Sequence, residues 1–286
     1  MQLREYFRKF TRDLQPLFPP REATALAELV FREVTGMEAT RRIGHGEKEI
    51  AAPEQLELDR MLRELLGHRP VQYVLGHAPF LEFDLKVNEA VLIPRPETGE
   101  LVEWVIRYCS GLPASPGVIA DLGTGSGCIA IALKGRFPNA TVIATDCSGE
   151  ALSVAIANAH SLGLPVQAVR SDLLDPAQDS SFPVVDLLVS NPPYVTPGEA
   201  GTMASHVLDF EPRMALFVPK DDPLIFYRSI LRLAELRLAR EGSVFVEINE
   251  SLGPETTGLF EAAGWRVVLQ KDLGGKDRMI RAWRDG

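Results

Sequence analysis

Asn191-Pro192-Pro193-Tyr194 follows directly on the apolar run Val184-Val185-Asp186-Leu187-Leu188-Val189-Ser190. The Asn side-chain carbonyl and the prolyl carbonyl after it are two acceptors, and a planar NH2 group has two hydrogens to give them. The two prolines hold φ and remove backbone donors, so the turn is stiff and its carbonyls point away from any strand ladder. An amine or amide held through both N–H groups aims its nitrogen across the pocket, with Asn191 and Pro192 as acceptors, Pro193 as the stiffener and Tyr194 packed on the flat group.

A second constellation lies upstream in Asp121-Leu122-Gly123-Thr124-Gly125-Ser126-Gly127, which ends an apolar run and opens a helix at Cys128-Ile129-Ala130. Gly123, Gly125 and Gly127 let the backbone approach a ligand closely, while Thr124, Ser126 and the helix N-terminus supply polar groups to it. The third glycine comes one place too early for the dinucleotide fingerprint G-x-G-x-x-G, whose last position here is Cys128. A tight turn that only packs helix on strand is the plainer alternative. Asp146 ends the next apolar run, where a carboxylate can accept hydrogen bonds from both hydroxyls of a ribose or cap the helix near Gly149-Glu150. Asp172 and Leu173 end the third run, offering a carboxylate and an apolar face to an adenine, or simply a turn.

Positioning these groups requires an alternation of helices and buried strands from about Glu97 onward. Strands are expected at Val118 to Leu122, Thr141 to Asp146, Val166 to Arg170, Val184 to Ser190, Ser243 to Ile248, Trp265 to Gln270 and Arg278 to Trp283. The last two are joined by Lys271 to Asp277 without a helix, so they must pair antiparallel. The candidate residues then gather at the C-terminal strand ends, where open α/β sheets bind ligands. Glu247 ends the fifth run, within reach of that crevice or engaged only with backbone donors. Thr196 to about Asp222 has little periodicity and reads as a lid beside the Asn-Pro-Pro-Tyr turn.

The first 76 residues are patterned as short helices, with Leu26, Leu29 and Val30 and then Leu58, Met61, Leu62, Leu65 and Leu66 at helical spacing. The period then changes to two, with Phe80, Glu82, Asp84 and Lys86 interleaved with Leu81, Phe83, Leu85 and Val87, and Asn88-Glu89 before Val91-Leu92-Ile93. A hairpin over 77–96 linking two domains is expected.

At 286 residues and 45% hydrophobic content, the chain has material for one large core and a smaller satellite. Its formal charge of −9 argues against a broad phosphate-binding surface. No apolar stretch approaches membrane-spanning length, the first residues carry charge throughout, and a cytoplasmic location with no membrane partner is expected. The three cysteines, Cys109, Cys128 and Cys147, form no CxxC pair and read as core residues. The five histidines show no ligand spacing, so no metal is expected.

Taken together, GxGxG, the acid after the second strand, NPPY after the fourth and the antiparallel last strand look like a class I S-adenosylmethionine-dependent methyltransferase of the group acting on planar nitrogens. Val91-Leu92-Ile93-Pro94-Arg95-Pro96-Glu97-Thr98, Arg69-Pro70-Val71-Gln72-Tyr73-Val74-Leu75-Gly76 and Phe210-Glu211-Pro212-Arg213-Met214-Ala215-Leu216 resemble, more narrowly, the HemK/PrmC family of release-factor glutamine N5-methyltransferases. This chain departs from the family pattern in having Gly99 after Thr98, and Leu173 where an aromatic residue is common.

The resemblance implies a seven-stranded doubly wound α/β sheet with its last strand antiparallel, in a domain over 97–286 behind the 77–96 hairpin and a helical substrate-recognition domain over 1–76. It implies S-adenosylmethionine bound by Gly123 to Gly127, Asp146, Asp172, Leu173 and Asn191. It also implies transfer of a methyl group to the amide nitrogen of the glutamine in the GGQ loop of a peptide chain release factor, carried by Asn191, Pro192 and Tyr194. Two other readings use the same residues. A nucleic-acid methyltransferase would present adenine N6 or guanine N2 to the same acceptors, but needs a basic surface and a slot for a flipped base. A non-catalytic cofactor sensor would not need an intact Asn-Pro-Pro-Tyr turn.

Overall fold

The computed structural model describes residues 1–285; Gly286, the end of the expected 97–286 domain, lies outside the described residues. Contacts divide the chain into two units, one of Met1–His77 with Ala204–Phe210 and one of Ala78–Met203 with the described residues from Glu211 onward.

Over Met1–His77 of the first unit, five helices follow the glycine and proline punctuation: α1 (Leu3–Leu14), α2 (Pro20–Thr35), α3 (Ala39–Gly44), α4 (Ala52–Leu66) and α5 (Val71–Leu75). Pro20 sits at the start of α2, where its missing N–H costs nothing, and Gly36 ends that helix at φ +63°. The core is more aromatic than the leucine spacing suggests. Phe31 is fully buried and meets the rings of Tyr6, Phe7 and Phe10 at 5.0–6.1 Å. On α2 the buried stripe is Ala23, Ala27, Val30 and Phe31, with Leu26 and Leu29 half-buried. Small alanines allow close helix approach there. Of the leucines and methionine at helical spacing on α4, Leu58, Met61, Leu62 and Leu65 are buried and Leu66 is exposed.

The hairpin is tighter and earlier than its sequence period suggests. Strands β1 (His77–Phe80) and β2 (Phe83–Lys86) form a two-stranded sheet joined by Leu81-Glu82, with Leu81 at φ +51°. The expected turn at Asn88-Glu89 instead closes a loop, in which the Asn88 side chain accepts from the Ala90 N–H, and Val91 to Ile93 is not a strand. Buried Asn158 explains the position of β2: its side chain accepts from Lys86 N–H at 2.8 Å and donates to Lys86 O at 3.0 Å.

The second unit carries a seven-stranded sheet of β3 (Val118–Leu122), β4 (Thr141–Asp146), β5 (Gln167–Arg170), β6 (Val185–Ser190), β7 (Leu238–Glu247), β8 (Arg266–Lys271) and β9 (Asp277–Trp283). Their order is β5-β4-β3-β6-β7-β9-β8, with β9 antiparallel to both neighbours and the other pairings parallel. Strand β7 begins earlier than expected, at Leu238, because Val185 of β6 pairs with it before a register shift. The period of two sorts side chains to opposite faces. Ile119, Leu187, Val189 and Phe245 pack with helices α6 (Pro96–Ser110), α7 (Cys128–Arg136) and α8 (Gly149–Ser161). Ala120, Leu122, Leu188 and Val244 face α11 (Ile225–Arg237) and α12 (Gly253–Ala262). In sequence before α11, Thr196 to Asp222 folds into short turns of helix, including α9 (Ser205–Phe210), which groups with the first unit, and α10 (Arg213–Leu216). Among the described residues, no helix is long and apolar enough to cross a membrane.

Candidate active site

The chain runs out from β3 to β4 and β5, then returns to β6 on the other side of β3. Such a reversal leaves a crevice at the C-terminal strand ends. A cleft opens there, walled by residues at or just past the ends of four strands: Leu122-Gly123, Thr145-Asp146, Ser171-Asp172 and Ser190-Asn191.

Buried Asp121 organises the glycine loop. One carboxylate oxygen accepts from Thr124 Oγ1 at 2.6 Å and from the Ala130 N–H at 3.1 Å, tying the loop to the first turn of α7. Burial pushes its carboxyl up to about 7, against the lowering effect of those two bonds. Gly123, Gly125 and Gly127 lie at φ +72°, +54° and +84°, where a side chain is strained. They divide by role. A Cβ on Gly123 or Gly125 meets nothing within 4 Å, so their backbone is bare, and both line the cleft with Thr124 and Ser126. A Cβ on Gly127 meets Ala155 Cβ at 3.1 Å, and Gly127 does not line the cleft. Its absence of side chain serves the packing of α7 on α8. Ser126 Oγ is buried at this wall beside the Cys128 thiol, with which it shares a hydrogen bond.

Asp146 accepts from the Gly125 N–H at 3.0 Å and the Ser148 N–H at 2.9 Å, one on each oxygen. It does not cap α8, since Ser148 does so by accepting from Ala151 N–H. A carboxylate has about four acceptor sites, so two remain on Asp146 for a diol. Cys147 beside it is exposed and lines the cleft, correcting the expectation that all three cysteines are core; Cys109 and Cys128 are buried. Asp172 and Leu173 also line the cleft. Gln178 Oε1 accepts from Ser171 Oγ and Asp172 N–H, and Arg232 donates to Leu173 O, so this strand end is held from behind.

Asn191, Pro192 and Pro193 form the opposite wall. Ser190 Oγ donates to Leu122 O at 2.6 Å and pins the turn to β3. Asn191 Nδ2 donates to Thr98 Oγ1 at 2.9 Å, and Thr98 donates to Glu247 Oε2 at 2.6 Å. Tyr194 is placed differently from expectation. It does not line the cleft; its ring packs on the α11-side core and its hydroxyl donates to Glu247 Oε1 at 3.1 Å. A phenol needs a partner when buried, and Glu247 is the one within reach. Glu247 itself is buried, and that burial raises its carboxyl to about 7, opposed by the bonds from Thr98 and Tyr194 and by the charge of Arg278. Glu247 therefore serves side-chain donors rather than backbone ones.

The Pro94-Arg95-Pro96-Glu97-Thr98 run does both things the sequence allowed. It starts α6, with Arg95 as the residue before the first helical position, and it places Pro94, Arg95 and Thr98 on the cleft. Glu211, whose side chain is fully buried, pairs with Arg95 and accepts from the Ile93 N–H at 3.1 Å. Two separate sequence motifs thus meet in one contact. Gly99 is explained by its surroundings: a Cβ there meets Leu81 Cδ2 of the hairpin turn at 3.2 Å. Thr98, Asp121 and Asn158 were not singled out as site residues by sequence, although Thr98 and Asp121 each sit inside a motif that was. Asn158, which also donates to Ser126 O at 2.9 Å, carries no local signal at all.

The sheet order, the glycine loop after its first strand and the Asn-Pro-Pro-Tyr turn after its fourth define a class I methyltransferase. A solved methyltransferase from Pyrococcus furiosus shares the fold, with a TM-score of 0.51 over 82% of this chain and 100% of that one, at 15% identity. The family profile for the methyltransferase small domain matches residues 109–211, and that for the PrmC N-terminal domain matches residues 5–76. The chain is 39% identical to the release factor glutamine methyltransferase of Bacteroides thetaiotaomicron, over 95% of this chain and 96% of that protein. It is 36% identical to that of Flavobacterium psychrophilum, over 98% and 99%. The chain belongs to the release factor glutamine methyltransferase family.

Proposed function

We propose that this protein transfers a methyl group from S-adenosylmethionine to the side-chain amide nitrogen of the GGQ glutamine in a peptide chain release factor. The observation that carries this reading is the Asn191 amide, whose NH2 end is engaged by Thr98 while Pro192 and Pro193 stiffen the turn beside it. That leaves Asn191 Oδ1 and the Pro192 carbonyl as acceptors for the two amide hydrogens. The names of the relatives and the acidic balance of the chain support a protein glutamine over a base in nucleic acid.

The cleft suits the cofactor on observed grounds. Gly123 and Gly125, whose lack of a side chain lets a ligand approach, and two open acceptor sites on Asp146 are the groups that would hold it, with Thr124 and Ser126 on the same wall. Asp172 and Leu173 would take the adenine. Bound there, S-adenosylmethionine supplies an electrophilic methyl whose sulfonium leaves as a neutral thioether. An amide nitrogen is a weak nucleophile because its lone pair is delocalised, so the work of the protein is positioning, worth up to about 7–11 kcal/mol for a well-oriented pair. Asn191 and Pro192 polarise the nitrogen and aim it; the proton leaves after the C–N bond forms, so no base need act first. Tyr194 supports the turn from behind.

Methyl transfer assayed against a free release factor, bulk RNA and bulk DNA tests the reading. Label on the glutamine of the factor alone is expected. Label on nucleic acid with none on the factor would overturn it.

A further inference from the structure

An asparagine side chain presents a donor at one end and an acceptor at the other, and only one orientation serves an NH2 substrate. The orientation of such an amide follows from its hydrogen-bond network. Here the network leads away from the cleft to Glu247. Above about pH 7, where the buried Glu247 is ionised, its carboxylate can only accept, so the single Thr98 hydroxyl proton goes to Oε2, 2.6 Å away. Thr98 Oγ1 then has lone pairs alone to offer. The Asn191 group 2.9 Å from it must be the NH2 end, and Oδ1 must be the end left for the substrate. Tyr194 donates to the other Glu247 oxygen, Tyr227 donates to the Glu247 backbone carbonyl at 3.2 Å, and the Thr98 and Glu247 side chains are both buried, so the relay has little room to rearrange.

We infer that Glu247, acting through Thr98, is the positioning element that fixes the Asn191 amide with its carbonyl toward the substrate nitrogen. Thr98 comes from the first turn of α6 and Glu247 from the end of β7, so the orientation is set by elements separated by 149 residues in sequence. The inference deepens the reading of Asn191 as an amide acceptor and rests on it.

Thr98→Val removes the hydroxyl at nearly constant shape. It is expected to lower kcat for release factor methylation on the order of 10- to 100-fold, the scale of a small misplacement of a reacting group. KM for the factor and affinity for S-adenosylhomocysteine should change little. Thr98→Ser keeps the hydroxyl and should restore kcat to near the wild-type value. The decisive comparison is a double-mutant cycle. In an Asn191→Ala background there is no amide left to orient, so Thr98→Val should cost nothing further. Wild-type kcat in Thr98→Val, no rescue by serine, or an equal loss with and without Asn191 would each overturn the inference. If Thr98→Val loses S-adenosylhomocysteine binding through misfolding, Glu247→Gln, which keeps an oxygen for Thr98, is expected to hold kcat well above Glu247→Ala at equal cofactor affinity; equal kcat in the two overturns it. Near wild-type activity of Asn191→Ala alone would instead mean that the underlying reading of Asn191 fails.

Discussion

At the scale of single residues, the two carboxylates held up near 7 make opposite demands on pH from ordinary surface acids. Glu247 keeps its proton in the folded protein up to about 7, from an ordinary 4.5, because it is buried. Between those values the unfolded chain has released a proton that the folded chain retains, so this group makes stability fall as pH rises through that window. Glu247→Gln cannot ionise. Melting temperatures of the two proteins from pH 4.5 to 8 should diverge, with wild type losing ground to the variant as pH rises; parallel curves would contradict the assignment. Asp146→Ala is expected to weaken S-adenosylhomocysteine binding by calorimetry while leaving the α8 cap, which is Ser148, in place. Unchanged affinity would reject a ribose contact. Sequence showed Asn191, Asp146 and the glycines because each stands at a strand end beside turn formers. It could not show which way Tyr194 turns, since its direction is set by Glu247, 53 residues away. The Thr98 relay was hidden for the same reason.

Among the elements, most of the seven strands were readable as apolar runs closed by glycine, proline or a polar turn, and their alternation with helices limits the topology to few choices. The hairpin was misplaced in detail because its period of two continues through Leu85 and Val87, while the chain actually turns at Leu81-Glu82, with Leu81 packed near Gly99. No local rule asks a leucine to take positive φ. The glycine loop makes a sharper prediction. Gly127→Ala places a methyl 3.1 Å from Ala155 Cβ at a strained φ, and should cost about 1–3 kcal/mol of stability by denaturant midpoint. Gly125→Ala meets open space, so its larger effect should fall on cofactor affinity. The reverse ranking in the two measurements would show that the loop glycines have been assigned the wrong roles.

For the whole molecule, every proposed cofactor contact comes from the unit that begins at Ala78, while the helical unit from Met1 to His77 supplies none. Its role is proposed to be recognition of the folded factor, where remote contacts supply the binding energy that positions the reacting loop. A chain beginning at Ala78 should keep most of its S-adenosylhomocysteine affinity and lose transfer to intact release factor far more than to a short glutamine peptide. Equal rates on the intact factor would remove that role from the helices. The division into helices and a doubly wound sheet was legible from the change of period near residue 77, whereas the grouping of Ala204–Phe210 with the helical unit was not, since contacts at that distance leave no mark on local pattern. The central claim is that Asn191 orients the amide for attack, and single-turnover methylation of a release factor by cofactor-loaded Asn191→Ala tests it most directly. The rate of the chemical step at saturating cofactor should fall by ~10²- to 10³-fold, by analogy with loss of one oriented hydrogen bond, with the fold retained; a folded Asn191→Ala enzyme that transfers the methyl group at the wild-type rate would contradict the account.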